Sequence, residues 1–231
     1  MRSSTCGVLA SISACLLVAS AVGAAAAQAQ AAPATEPSVA ALEALVRECS
    51  QLEGTGHFSK DVGERRSVPI CGLPGAVFWT ADMDVDCDGG RTAACRRDPT
   101  YQRATSATDS RGRPLDAATL PYVVLPLPSR GFDYRAAGLQ LGSVVAVLYR
   151  GRLVFAIFGD EGPANIIGEG SYALARALGI DPHPVTGGAD DGVTFIAFTG
   201  PAGAVSSNED HEATERVGRE RALQLIADQP R

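Results

Sequence analysis

The chain has 231 residues, with 20 Lys+Arg against 26 Asp+Glu and a formal net charge of −6 at pH 7. An acidic balance of this kind excludes nucleic acid as an expected partner. With 45% apolar and 20% charged residues, 25 Gly and 14 Pro, the composition is that of an ordinary globular domain, neither disordered nor collagen-like.

The first element is a leader. Arg2 precedes an uncharged run from Cys6 to Ala27, and Ala27-Gln28-Ala29 supplies small residues two apart ahead of a polar, proline-containing stretch. This predicts a secretory signal peptide over residues 1–29. A membrane anchor is the alternative, but Ser, Gly and Ala dilute the run and no basic stop-transfer cluster follows, so no membrane association is expected once the leader is removed. A lipoprotein reading of Cys15 is a minor alternative, because Leu16, Leu17 and Val18 continue the apolar stretch beyond it.

Without the leader, Cys49, Cys71, Cys87 and Cys95 remain, an even number in an exported chain. Two disulfides are expected, and pairing in sequence order (Cys49 with Cys71, Cys87 with Cys95) closes the shortest loops. No C-x-x-C spacing is present, so zinc is not expected, and neither is any other metal or cofactor.

A Pro/Ala/Thr spacer leads into Val39, Leu42, Leu45 and Val46, whose spacing predicts a short helix ending near Cys49. Residues 75–86 read as a strand that ends in acids, and residues 87–118 as loop. PYVVLPLP (121–128) reads as a strand whose prolines confine it to an edge or a bulge. SVVAVLY (143–149) and LVFAIFG (153–159) flank Arg150-Gly151-Arg152 and predict a β-hairpin. Residues 160–168 read as a turn, Tyr172 to Leu178 as a helix closed by Gly179, and residues 193–200 as a last strand. A polar, acidic stretch from Ser206 to Glu215 precedes a terminal helix over Val217 to Ile226. The sum predicts a mainly β protein: a compact β-barrel, the double-psi type being one form it could take, with a few short peripheral helices. The expected organisation is a leader (1–29), a spacer and short helix (30–47), a catalytic domain (48–204) and a polar tail with helix (205–231). A monomer is expected.

Two constellations could carry chemistry. Asp82, Asp84, Asp86 and Asp88 alternate with Met83, Val85 and Cys87, which puts all four carboxylates on one face of a strand. Asp84-x-Asp86-x-Asp88-Gly89 also opens like an EF-hand loop, but the twelfth position is Cys95 rather than the Glu that calcium requires. A solvated acidic turn and a docking surface for a cationic substrate both remain open for this face. The second constellation is Asp160 and Glu169, which bracket FGDEGPANIIGEGS. Two carboxylates beside glycines at strand ends are what glycoside hydrolysis needs, one to protonate the leaving oxygen and one to activate water. Ordinary turn and capping roles are the alternative. His57, His183 and His211 sit in polar loops beside no evident nucleophile, and no nucleophile elbow, P-loop or dinucleotide fingerprint occurs.

AVFWTADMDVDCDG (76–89), LPYVVLP (120–126) and the hairpin running into FGDEGP and IIGEGSYALARALGI together resemble glycoside hydrolase family 75 over roughly residues 48–200. These are secreted endo-acting chitosanases known from fungi and also found in bacteria. The resemblance implies that Asp160 and Glu169 are the catalytic carboxylates and that β-1,4 bonds of chitosan, a cationic polysaccharide, are hydrolysed with inversion. It also implies substrate binding or site architecture for Asp82, Asp84, Asp86 and Asp88; Trp79, in the same segment, joins them as a substrate-binding candidate. By analogy with double-psi barrel hydrolases, Glu169 would be the acid and Asp160 the base. A helix N-terminus near Glu169 would lower its pKa, whereas a general acid needs it raised, so this order is left open. Glu161 stands where a small residue is usual. Another polysaccharide- or peptidoglycan-cleaving barrel, or a non-catalytic carbohydrate-binding module, is the competing reading.

Overall fold

The structure, a computed structural model, describes residue 1 and residues 36–228. The leader expected at residues 1–29 therefore lies outside the described residues. Ser38 opens α1 (Val39–Leu45) by accepting the Ala41 N–H on its side chain. Three short strands follow, β1 (His57–Phe58), β2 (Val68–Pro69) and β3 (Cys71–Leu73). β4 (Ala76–Asp86) is the long acid-ending strand, succeeded by a loop whose only regular element is a 3-10 turn at Cys95–Arg97. Then come β5 (Tyr122–Pro126), the hairpin β6 (Val144–Tyr149) and β7 (Arg152–Gly162), β8 (Glu169–Ser171), α2 (Tyr172–Leu178), β9 (Ala189–Phe198) and α3 (His211–Ala227).

Six of these strands close into a barrel in the order β4, β8, β5, β7, β6, β9, with β9 returning to β4. Two of the contacts, β4 with β8 and β5 with β7, are parallel; the others are antiparallel. The barrel is filled by the inward residues of each strand: Trp79, Met83 and Val85 of β4, Val123 and Leu125 of β5, Val145, Val147, Phe158 and Phe195. Outside it, α1 and α3 cover one flank, where Leu42, Ala222 and Leu225 pack on Phe78, Ala146, Leu148, Phe155, Ile196 and Phe198. On another flank the long loop after β4 contributes Ala107, Leu115 and Ala117 against Tyr122, Val124 and Ile157. The disulfides Cys49–Cys71 and Cys87–Cys95 pair in sequence order, as expected. The first ties the segment after α1 to β3, and the second closes the loop at the end of β4.

Several local expectations are met for the reasons given. Arg150 and Gly151 both have positive φ, as a two-residue hairpin turn demands, and Gly179 ends α2 in the left-handed region. Three differ. Of the edge or bulge expected for β5, only the bulge is found: the strand pairs with β7 on one side and β8 on the other, its prolines stand at its boundaries, and the register with β7 shifts between Val123 and Val124. Asp160 and Glu161 are not in a turn, because β7 runs on to Gly162. α3 begins at His211 rather than Val217, since the acidic stretch before it is its cap and first turn: the Asp210 side chain accepts the Ala213 N–H, and Glu212 follows at the positive end of the helix dipole. Among the described residues no helix is long and apolar enough to cross a membrane.

Candidate active site

The position of Asp160 is set by a bulge. Along β7, Phe158 faces the barrel interior, so strict alternation would turn Asp160 inward as well. The register with β5 runs Val123 to Phe158 and then Val124 to Asp160, leaving Gly159 as an extra residue. One inserted residue reverses the face of everything after it, and Asp160 is thereby aimed outward beside Val124. Only glycine fits there: a Cβ on Gly159 would lie 2.6 Å from the Cβ of Tyr122 and 3.1 Å from Leu115.

Glu169 reaches the same place from the other side. It opens β8, where it pairs with Val124 of β5 and with Asp84 of β4. Asp84, Glu169, Val124 and Asp160 thus form one row across four strands, and residues in register on neighbouring strands present their side chains on one face. The row floors a cavity of about 300 Å³ that is also lined by Asp86, Asp88, Glu161, Asp61 and Lys60, with Val62, Pro163 and Ile166 as apolar contacts. A second cavity of about 310 Å³ continues along β4, lined by Asp82, Asp84, Asp61, Glu64, Lys60 and Asp190.

So many carboxyls in one trough oppose one another's ionisation. Burial, then the charges of Asp84 and Asp61, raise Asp82 to about 7 against the opposing pull of Lys60. Asp84 keeps an exposed surface, yet protein packed around its carboxyl and then the Asp61 charge raise it to about 6. Burial raises Asp88 to about 6 despite the Gln102 N–H it accepts at 2.6 Å. Asp86 is also raised, by burial and then by Asp88. Glu169 is held well above the ordinary glutamate value by burial and then by Asp86, Asp84, Asp88 and Asp160. Asp160 is raised too, by burial, but donors from Ser106 and Glu161 work against that rise. The two carboxyls therefore differ in kind: Glu169 is surrounded by charges that keep a proton on it, and Asp160 by hydrogen bonds that favour its anion.

The structure brings Asp84, Asp86, Asp88, Asp160 and Glu169 together and carries Asp82 into the adjoining cavity. Trp79 corrects its expected role. It is 1% exposed in the barrel interior, its ring stacked on Phe195 with centroids 5.2 Å apart, because odd positions of β4 face inward when the aspartates face outward. Asp61, Glu64 and Lys60 were not anticipated. They come from the loop after β1, where no local pattern marks them, and Lys60 is anchored by Asp191 at 3.3 Å and the Asp190 carbonyl at 3.0 Å. The Tyr134 hydroxyl donates to Glu161 at 2.8 Å, fixing the acid whose presence the sequence left unexplained. Glu169 opens β8 and stands two residues before Ser171, which caps α2, and burial with the neighbouring aspartates outweighs the downward pull expected from that helix. None of the three histidines lines either acidic cavity. Among the described residues no three His, Cys, Asp or Glu side chains are grouped to hold a metal ion.

A larger cavity, about 720 Å³, lies elsewhere, lined by Arg91, Arg113, Arg176, Asp109, Asp116 and Glu209 among others. Its charges are largely matched within the protein: Arg113 meets Asp109 at 2.7 Å and Arg91 meets Asp116 at 3.8 Å. It contains none of the carboxyls raised by burial, so the smaller trough is the candidate active site.

A family model described as fungal chitosanase of glycosyl hydrolase group 75 matches residues 83–229. An endo-chitosanase of Aspergillus fumigatus is 32% identical over 167 residues, covering 65% of this chain and 70% of its own. Endo-chitosanase B of Aspergillus oryzae is 29% identical over 199 residues, covering 78% and 83%. The solved structure of Streptomyces papain inhibitor is 21% identical with a TM-score of 0.32, over 52% of this chain and 94% of its own, too distant to inform fold or chemistry. The class of the protein is therefore glycoside hydrolase. Within it, the chain belongs to glycosyl hydrolase group 75. The match runs through α3, beyond the residue 200 at which the resemblance read from sequence stops.

Proposed function

We propose that the chain is a secreted endo-chitosanase that hydrolyses β-1,4 bonds between glucosamine units with inversion, Glu169 acting as general acid and Asp160 as general base. The observation that carries this reading is the row in which Val124 has Glu169 as its partner on one side and Asp160 on the other. Neighbouring strands lie about 4.8 Å apart, so backbones two strands apart are separated by ~9.6 Å. That spacing suits the roughly 6.5–9.5 Å carboxyl gap of inverting hydrolases, which must admit a water, better than the roughly 5–5.5 Å gap of retaining ones.

In this reading the protonated Glu169 gives its proton to the glycosidic oxygen as the C1–O bond breaks. Asp160 takes a proton from a water that attacks C1 from the opposite face, leaving the new reducing end with inverted configuration. Asp84, Asp86, Asp88, Asp82 and Asp61 receive the ammonium groups of the chain. A bound ammonium reduces the repulsion around Glu169, but burial, the larger cause of its raised pKa, persists. The leader sequence and the two disulfides support export. The names of the Aspergillus relatives support the substrate.

Asp160→Asn and Glu169→Gln are expected to lower turnover on chitosan about 10²- to 10⁴-fold, the usual contribution of such groups, with melting temperature maintained. Reducing-end and viscosity assays measure this, and near-wild-type turnover in either variant would overturn the assignment.

A further inference from the structure

Asp160 carries two oxygens, and they are not equivalent. Oδ1 accepts the Ser106 backbone N–H at 2.8 Å, the Ser106 hydroxyl at 2.8 Å and the Glu161 N–H at 2.8 Å. The Ser106 hydroxyl oxygen also lies 3.2 Å from that same Glu161 N–H, which links serine, aspartate and the following peptide in one small network. Three donors leave Oδ1 with little capacity for anything else, so Oδ2 is the oxygen free to accept a proton from water.

Ser106 comes from the long loop after β4, and the loop holds it firmly from both neighbours. Thr105 donates its hydroxyl to the Ala107 carbonyl at 2.7 Å and accepts the Leu115 N–H at 2.9 Å. The Ala107 N–H bonds the carbonyl of Gly159, the bulge residue itself, at 3.0 Å. The bulge that aims Asp160 and the serine that grips it are thus one hydrogen-bonded unit.

We infer that Ser106 is a positioning residue for the hydrolytic reaction: it fixes the rotation of the Asp160 carboxyl so that Oδ2 faces the attacking water, and it keeps that carboxyl ionised. This rests on Asp160 being the general base. A clamp of this kind is needed because the acidic trough otherwise favours protonation, and a protonated base cannot take a proton from water. Hydrogen bonds donated to a carboxylate favour its charged form, and preorganised donors cost no reorganisation when the reaction occurs.

The test compares wild type, Ser106→Ala, Ser106→Thr and Asp160→Asn across a kcat/KM pH profile on fully deacetylated chitosan, with melting temperatures recorded alongside. Ser106→Ala keeps the backbone donor and loses the hydroxyl. Its acid limb is expected to move up by about one pH unit, so that activity falls about tenfold on the acid side and recovers to within a few-fold at higher pH, with KM changed less than about twofold. Ser106→Thr, which restores a hydroxyl at this exposed position, is expected to return the limb to the wild-type pH. A limb that stays in place in Ser106→Ala, whether activity is unchanged or uniformly reduced, overturns the inference while leaving the Asp160 and Glu169 assignment standing, provided Asp160→Asn is inactive. An active Asp160→Asn overturns both. Carbon NMR titration of the Asp160 carboxyl in the same variants gives a reading independent of turnover: an upward shift in Ser106→Ala is expected, and none would contradict the clamp.

Discussion

The outward-facing side chains of β4 change character partway along the strand. Ala76 and Phe78 lie under α1 and α3 in an apolar cluster with Leu42, Ala222 and Leu225. Past Thr80, whose hydroxyl bonds that of Thr194 on neighbouring β9, the same outward positions become Asp82, Asp84 and Asp86. The inward positions, from Val77 through Trp79, Ala81 and Met83 to Val85, stay apolar throughout. One strand therefore carries a stabilising half and a working half. The interior and the helix-covered flank hold the barrel, and the acidic half crowds like charges into a partly buried trough, an arrangement that lowers stability unless a cation lies there.

The sharpest way to separate the two halves is to mutate one outward residue from each. Phe78→Ala should destabilise the fold by about 3–5 kcal/mol, as large-to-small core changes do, while leaving KM and the pH profile of the surviving enzyme unchanged. Asp86→Asn should do the reverse. The amide oxygen keeps the Asp88 N–H bond now made at 2.7 Å by Asp86 Oδ1, so the fold is expected to hold and to gain stability near pH 7.5 as a buried charge is removed. Glu169 loses a charge that holds its proton on, its pKa falls, and the basic limb of the activity profile moves down. Denaturant unfolding and pH–rate curves on the two variants check this; a pH profile displaced by Phe78→Ala, or unmoved by Asp86→Asn, would blur the division.

A smaller effect belongs to the whole acidic half. Asp82 at about 7, and Asp84 and Asp88 at about 6, have folded values above the unfolded value of 3.8. The native state therefore binds more protons than the unfolded chain between about pH 4 and 7, and its stability must fall as pH rises through that window. The groups with the opposite shift, Asp109 at about 2 with Asp191 and Glu209 lowered by their donors, act at more acid pH. Melting temperature is expected to be a few degrees higher at pH 5 than at pH 8, and the slope to shrink in Asp82→Asn. A melting temperature that rises between pH 5 and 8 would mean that the trough is not strained by its own charge.

The division of β4 was partly legible in the sequence. The run of alternating aspartates marks the outward face, and the same alternation, carried three residues back from Asp82, turns Trp79 inward, a step the residue pattern already contains. Asp160 and Glu169 are visible as acids beside glycines, but their shared neighbour Val124 depends on a parallel pairing with β7, an antiparallel pairing with β8 and a bulge, none of which a local pattern encodes. Asp61, Glu64 and Ser106 enter the site from loops distant in sequence, so only the closed barrel brings them in. The start of α3 is not legible because Asp210 and Glu212, which cap the helix and favour its N-terminus, have the composition of a polar tail.

Among the acids, the mildest expected change is one of selectivity. Asp84→Asn should weaken binding more for fully deacetylated than for partly acetylated chitosan, and added salt should shrink the difference, since exposed charges are screened over about 10 Å at 0.1 M. Equal loss for both substrates, accompanied by a lower melting temperature, would mark Asp84 as structural and move the working boundary of β4 further along the strand.

The central claim is that Glu169 and Asp160, one on each side of Val124, act with a water between them. Proton NMR of a fully deacetylated chitosan oligomer during the first minutes of hydrolysis reads this directly in the anomeric signals of the new reducing ends. The α-anomer is expected to appear first and the β-anomer only by later mutarotation; initial formation of the β-anomer would contradict the account.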